Sequence, residues 1–411
     1  MIADGALDGG SVPGLAARLG VSERHLHRLL VARVGASPVQ LARTRRAQVA
    51  RMLLEETAWP MPDVAFAAGF SSVRQFNDVL RVEYAATPTD LRLARRRPTA
   101  PHDGGRGLVL RLRHTRPFDG ASLLAHLTAR AVPGLESVVG GVVRRLVPGA
   151  AGPAVVELDL ADAGPVMCLR AAARSDVPHL VARVRHWADL DADPAAVAEV
   201  LGSDSLLAQA VAARPGLRVP GTVDPGELVL RTVLGQQVSL KAARTLTERL
   251  VVSWGEPGPE GLTSFPEPSV LAGLDLSDLR SIGLTSSRAT AVHGVARALA
   301  AGLEVGPGCD RATARRELGA VPGVGPWTVE YAALRARADP DAFPAHDLVL
   351  RRMLGVQDAR EALARAERWR PWRGYAAQHL WTLAAQGGPQ PPEGSAAPHP
   401  SHSYDDPEDH S

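Results

Sequence analysis

The chain runs to 411 residues, yet it holds only two cysteines and one lysine, and aromatic residues make up just 4% of it. Each shortage excludes something. Cys168 and Cys309 are too few and too far apart for a disulfide framework or a four-cysteine zinc site. A single lysine, Lys241, leaves arginine to supply almost all the positive charge, and lysine has amine chemistry that arginine lacks. No apolar run approaches the length of a membrane span, and no signal peptide precedes the first helical pattern. A soluble, intracellular chain with no membrane partner is expected. The low aromatic content makes any cluster of rings informative.

What is present points to several domains. The length exceeds one ordinary domain, and 45% hydrophobic residues suffice for buried cores. The formal net charge is only +2, but it is unevenly spread: "RTRRAQVAR" and "LRLARRRP" lie in the first hundred residues, whereas the end reads "SYDDPEDHS". A basic front end suits a polyanion such as nucleic acid, and on charge alone it suits a solvated arginine-rich face equally well.

Residues 11–97 follow a helical pattern. Leu15, Leu19, Leu26, Leu29 and Leu30 form an apolar stripe interrupted by "GVSERHL", where Gly20 permits a turn and Ser22 an N-cap. The plan recurs about fifty residues later, with Gly69 as the turn and Ser71 or Ser72 as the cap. One such unit is any helical hairpin; two are a stronger signal. Through Ala65, Gly69, Phe70, Ser71, Phe76, Pro88 and Arg92 the second unit resembles the AraC-type DNA-binding domain, departing from it at Leu80 and Ala85. The resemblance implies a domain over 8–97 with recognition helices near Ser22–Val34 and Ser71–Val82, entering successive major grooves of promoter DNA.

Residues 95–107, "RRRPTAPHDGGRG", read as a linker. "LVLRLRHT", "GGVVRRLVP", "AVVELDL" and "PVMCLRAA" read as strands and "ASLLAHLTARAV" as a helix, giving a small α+β domain over 107–180. Residues 181–386 are almost wholly helical in pattern. The tail 387–411 has no Leu, Ile, Val, Met, Phe or Trp and is expected to be disordered. The fold class is therefore multidomain and mainly α: a double helix-turn-helix, a small α+β domain and an all-α C-terminal domain.

In "LGAVPGVGPWT", residues 318–328, Gly323 and Gly325 open backbone angles closed to other residues, and the amides that follow begin a helix. Such an N-terminus binds a phosphate well, although "PGVG" alone is a common turn. Asp347 follows in "FPAHDLVLRRML", where its type and place also suit an ordinary N-cap. Trp327 and Tyr331 are spaced i and i+4, on one helix face.

Together these stretches resemble the helix–hairpin–helix DNA glycosylases, and within them the AlkA type, the DNA-3-methyladenine glycosylases II. Supporting stretches lie at 213–243, 279–299 and 367–381, and "HLTARAV" at 126–132 resembles part of that family's N-terminal domain. The similarity spans about 107–386. Joined to an AraC-type module, the chain resembles an Ada–AlkA fusion of the response to alkylation. Its two isolated cysteines cannot make the cysteine–zinc methyl sensor of Ada.

The resemblance implies a monofunctional enzyme of base excision repair that hydrolyses the N-glycosidic bond of alkylated purines in double-stranded DNA. Asp347 would stabilise positive charge on the sugar and orient or deprotonate water. Trp327, Tyr331, Trp381, His126 and Leu348 would form the pocket for a flipped base. Gly323, Gly325, Thr328 and Gln237 would contact DNA, Gln237 standing where the family commonly has an apolar wedge. His126 and Leu348 replace residues that are usually aromatic. No cofactor is required; the family places a monovalent cation, sodium or potassium, on backbone carbonyls that here belong to Gly319, Val321 and Val324. A monomer in the cytoplasm, associated with the nucleoid, is expected. The alternative is a transcription factor whose glycosylase-like part recognises lesions without cutting them; retention of Asp347, Trp327 and Tyr331 favours the enzyme.

Overall fold

The computed structural model describes Leu7 and residues 11–93, 107–160 and 164–387. The expected linker, apart from Gly107, and the expected disordered tail, apart from Gly387, lie outside the described residues.

The first module is helical throughout. Helix Glu23–Val34 begins at Ser22, whose hydroxyl accepts from the His25 N–H, and helix Val73–Tyr84 begins at Ser72, which caps Gln75 in the same way. Of the two serines offered as the second cap, Ser72 therefore holds the helix, and Ser71 bonds Gln75 through its own N–H and hydroxyl. Gly20 and Gly69 are left-handed at φ +65° and +85°, as sharp turns between paired helices require. Ala85 ends its helix at φ +51°, where the first unit has Gly35. A Cβ in that conformation costs about 1 kcal/mol. The expected apolar stripe is only partly core: Leu15 and Leu26 are buried, whereas Leu19 and Leu29 are each 41% exposed. The central helix Pro38–Glu56, closed by a Ser37–Gln40 capping box, gives Ala42 to this small core and Ala47, Ala50, Leu53 and Leu54 to a second one.

A five-stranded antiparallel sheet follows: β1 Leu108–Arg111, β2 Glu136–Val139, β3 Val142–Val147, β4 Ala154–Asp159 and β5 Val166–Arg170, in the order β1-β5-β4-β3-β2. The sequence reading missed β2. It took "GGVVRRLVP" as one strand, but Gly140 and Gly141, at φ +58° and +85°, are the two-residue turn of a β2–β3 hairpin. The expected boundary at residue 180 also moves. It cuts helix Val177–Trp187, whose Leu180, Val184 and Trp187 share the core of the sheet.

That same core continues into the first module. Arg174 bonds Asp63 and lies 5.0 Å from the Trp59 ring centroid, Arg113 bonds Glu55, and the Arg111 N–H donates to Glu56 at 3.2 Å. The helix-turn-helix module is therefore packed onto the sheet domain.

The remaining helices form two lobes. One core gathers Val229, Leu230, Val292, Leu318 and Val329; the other gathers Leu201, Leu350, Trp369 and Leu380. Helix Pro326–Arg335 stands at the seam, giving Val329 and Ala332 to the first and Ala333 and Leu334 to the second. Its N-terminal turn is thereby aimed into the space between the lobes.

Candidate active site

Helices Arg311–Gly319 and Pro326–Arg335 enclose the glycine turn. Gly323 is left-handed at φ +84°, and a Cβ there would lie 2.6 Å from that of Ala291. Its constraint is the helix packed behind it, not a partner in front. Gly325 has an ordinary backbone conformation, and a Cβ there would meet nothing within 4 Å. Gln236, which the sequence reading passed over, ties the turn from the far side: its amide donates to Gly323 O at 3.2 Å and to the Thr328 hydroxyl at 2.9 Å. Thr328 is 1% exposed, so the expectation of a DNA-contacting side chain is corrected; its hydroxyl braces the turn from within. Gln237 is exposed at the tip between helices Pro225–Leu234 and Leu240–Trp254, in a left-handed conformation at φ +55°.

Asp347 N-caps helix Leu348–Leu354, accepting the Leu350 N–H at 3.0 Å. Both readings of this residue hold at once, because capping leaves lone pairs free. One carboxylate oxygen also accepts the indole N–H of Trp327 at 2.9 Å, and the other that of Trp381 at 3.1 Å. Trp327 stacks on Tyr331 at 5.1 Å between centroids, and Tyr331 meets Trp381 edge-on at 6.1 Å. The i, i+4 spacing and the third tryptophan thus converge on one carboxylate.

These residues line a cavity of about 650 Å³ between the sheet domain and the two lobes. His126 lines it too. Burial, reinforced by Arg130 and Arg335, holds its imidazole well below the usual range, so it is neutral near neutral pH. Leu348 does not belong to the lining; it is 70% exposed, since the cap turns the first helical residue outward, and Val349 faces the cavity instead. Sequence reasoning missed the charged wall. Arg335 is 2% exposed and donates to Pro220 O at 2.8 Å and to the Gln378 amide oxygen at 2.9 Å. Burial opposes ionisation of Tyr331, but the guanidiniums of Arg335 and Arg130 outweigh it and lower the phenol below its ordinary value. Glu136 and Glu227 also line the cavity, each bound to both Arg145 and Arg231 at 2.5 to 3.1 Å. This network joins β2 and β3 to helix Pro225–Leu234. The i, i+4 pair Glu227–Arg231 was the one part of it visible in sequence. Among the described residues, no group of three or more His, Cys, Asp or Glu could hold a metal ion.

Three family descriptions match consecutive parts of the chain: a helix-turn-helix domain at residues 15–94, an AlkA N-terminal domain at 109–224, and the HhH-GPD superfamily of base excision DNA repair proteins at 230–371. A hairpin backed by Gln236 and an aspartate clasped by two indoles, set between two helical lobes, accordingly place the catalytic part among the helix–hairpin–helix DNA glycosylases. The chain is 46% identical over 394 residues to a probable bifunctional transcriptional activator/DNA repair enzyme AlkA of Mycobacterium tuberculosis, covering 93% of this chain and 78% of that protein. It is 34% identical over 271 residues to DNA-3-methyladenine glycosylase 2 of Escherichia coli, covering 64% of this chain and 94% of that enzyme. The chain belongs to the AlkA family, as a DNA glycosylase joined to an AraC-type helix-turn-helix domain. A solved 3-methyladenine DNA-glycosylase from Archaeoglobus fulgidus shares the fold, with a TM-score of 0.58 at 18% identity over 67% of this chain and 98% of its own. No helix among the described residues is long and apolar enough to cross a membrane.

Proposed function

We propose that the chain excises alkylated purines, of the 3-methyladenine and 7-methylguanine class, from double-stranded DNA by hydrolysis of the N-glycosidic bond. The observation that carries this reading is the pairing of the acids. Of the three acidic residues lining the cavity, Glu136 and Glu227 are locked to arginines, and Asp347 alone makes no ion pair among the described residues. With Asp347 given to the sugar, no carboxylic acid remains to protonate a leaving base. Alkylation at purine N3 or N7 supplies that activation beforehand by making the base cationic.

The flipped base enters the cavity, at a cost of a few kcal/mol for unstacking. The C1′–N bond breaks with both electrons going to the base, which leaves neutral. Asp347 faces the sugar cation so formed and orients the water that adds to C1′, whose proton passes to the carboxylate or to solvent. The products are a free base and an abasic site in an intact strand. The helix N-terminus at Gly325 receives a backbone phosphate, and Gln237 fills the gap in the stack.

The resemblance would place a monovalent cation on the carbonyls of Gly319, Val321 and Val324, of which Val321 O already accepts the Val324 N–H at 3.0 Å. Such an ion would steady the turn, and the chemistry itself calls for no cofactor. The first module directs the enzyme, as a monomer at the nucleoid in the cytoplasm, to promoter DNA. Its core is shared with the sheet domain, so promoter affinity is properly measured on the full chain.

Single-turnover excision on duplexes bearing 3-methyladenine or 7-methylguanine tests the proposal, with Asp347→Asn as the control. Asparagine is an equally good N-cap, so folding should survive while base release falls at least about a hundredfold. A wild-type protein that binds such DNA without releasing base would establish the lesion-recognising transcription factor instead.

A further inference from the structure

The rings expected to hold a cationic base already carry a cation. The guanidinium carbon of Arg335 lies 5.1 Å from the Tyr331 centroid and 5.4 Å from that of Trp381. Arg335 is buried, makes no ion pair among the described residues, and donates only to neutral groups. Its Nε is buried without a hydrogen-bond partner. Arg130 stands beside it as a second positive charge against Tyr331. Simple electrostatics makes this a poor receptacle for a positively charged purine.

The opposite pole lies one ring away. Trp381 turns a face toward Arg335, and its N–H edge donates to Asp347. A single indole thus separates a buried cation from the carboxylate that faces the sugar. We infer that Arg335 and Asp347 form a fixed electrostatic gradient across the cavity that drives charge from the base to the sugar. When the C1′–N bond breaks, the electron pair flows to the base and positive charge appears on the sugar. Charge thus leaves the Arg335 end of the cavity and arrives at the Asp347 end. The arginine opposes the bound cationic lesion and relaxes as that base becomes neutral. Both poles are therefore more favourable in the transition state than in the ground state, the condition for raising the rate rather than the affinity. Because both groups are held in place by hydrogen bonds, the field needs no reorganisation during the reaction.

This inference rests on the assignment of Asp347 to the sugar, and the tests separate the two. If Asp347→Asn remains active, the assignment itself fails, whatever Arg335 does. With Asp347 confirmed, Arg335→Met keeps the length of the side chain and removes its charge, and Arg335→Lys restores the charge. In the Met variant, single-turnover excision of 7-methylguanine should fall by about tenfold or more, while affinity for DNA carrying that cationic lesion is unchanged or tighter. The Lys variant should recover most of the rate. A Met variant of normal rate, or one that loses rate and lesion affinity together with no recovery in Lys, would overturn the inference. A measurement on the unaltered protein covers the case in which Arg335→Met does not fold. Neutral 3-methyladenine should compete for the cavity better than the permanently cationic 3,9-dimethyladeninium, which has the same purine frame. Equal or better competition by the cation would overturn the inference as well.

Discussion

The indole of Trp327 donates to the carboxylate of Asp347 at 2.9 Å across two different helices. The bond makes the hairpin part of the active site, because Trp327 is the second residue of the helix that the glycine turn begins. Trp327→Phe would keep a ring to stack on Tyr331 and remove only the donor. A hydrogen bond to a charged group contributes about 1.5–3 kcal/mol, so single-turnover excision should slow by about tenfold to a hundredfold. DNA affinity should change little. An unchanged rate would mean that Trp381 and the Leu350 N–H position Asp347 without help.

The two hairpin glycines should behave differently. Gly323→Ala meets both a left-handed backbone and Ala291, and should destabilise the helical domain by about 2 kcal/mol or more. Gly325→Ala has an open site and an ordinary backbone, so thermal stability should hold. Its methyl group instead stands at the first amides of helix Pro326–Arg335, where a phosphate is to approach. Affinity for duplex DNA should therefore fall in this variant. A Gly325→Ala protein with full affinity would show that the turn is structural and meets no phosphate.

This contrast illustrates what was legible in the sequence. The glycine hairpin, Asp347 and the three rings were visible because each is marked locally, by spacing or residue type. The partners that arrive from elsewhere were not. Gln236 and Arg130 reach the site from separate elements, whereas Arg335 lies one turn beyond Tyr331 on the same helix but, as one arginine in a chain with abundant arginine, carries no signal of its own. Leu348 was misplaced because adjacency to Asp347 suggested proximity to the base, whereas the helix that Asp347 caps turns that position outward. Strand β2 was hidden because its two-glycine turn was read as the start of its neighbour. The double helix-turn-helix was legible from its repeated turn and cap, but its packing onto the sheet domain depends on Trp59, Asp63 and Arg174, which no local pattern links.

Stability should show two opposed acid limbs. Asp189 is raised to about 6, burial outweighing its bonds from the Val219 N–H and the Tyr375 hydroxyl. The folded state thus binds this proton more tightly than the unfolded chain, and stability falls as pH rises from about 4 to 6. His379 is lowered to about 4 by burial and Arg214, so its contribution is complete above the usual histidine value and is lost on acidification. Each is worth up to about 3 kcal/mol, and between pH 4 and 6 they cancel in part. Asp189→Asn should uncover a stability that climbs from pH 4 to 6.5. His379→Gln should uncover one that declines from pH 4 to 6. Denaturant midpoints against pH decide the matter; profiles parallel to wild type in both variants would remove these groups as the cause.

Base excision should leave the strand uncut. Glycosylases that also cleave the strand attack the sugar with an amine, form a Schiff base and then eliminate the phosphate. No amine stands just after the hairpin: Trp327 is there, and its N–H is committed to Asp347. The one lysine in the chain, Lys241, is exposed on helix Leu240–Trp254; Leu240, Ala243 and Arg244 line the cavity and Lys241 does not. Arginine cannot replace it, because a guanidinium stays protonated and is a poor nucleophile. Borohydride added during turnover should therefore trap no enzyme–DNA adduct, and strand scission should appear only after alkali treatment of the abasic product. Lys241→Ala should excise at the wild-type rate. A trapped adduct that disappears in Lys241→Ala would place an amine at the sugar after all and return Asp347 to the role of its assistant.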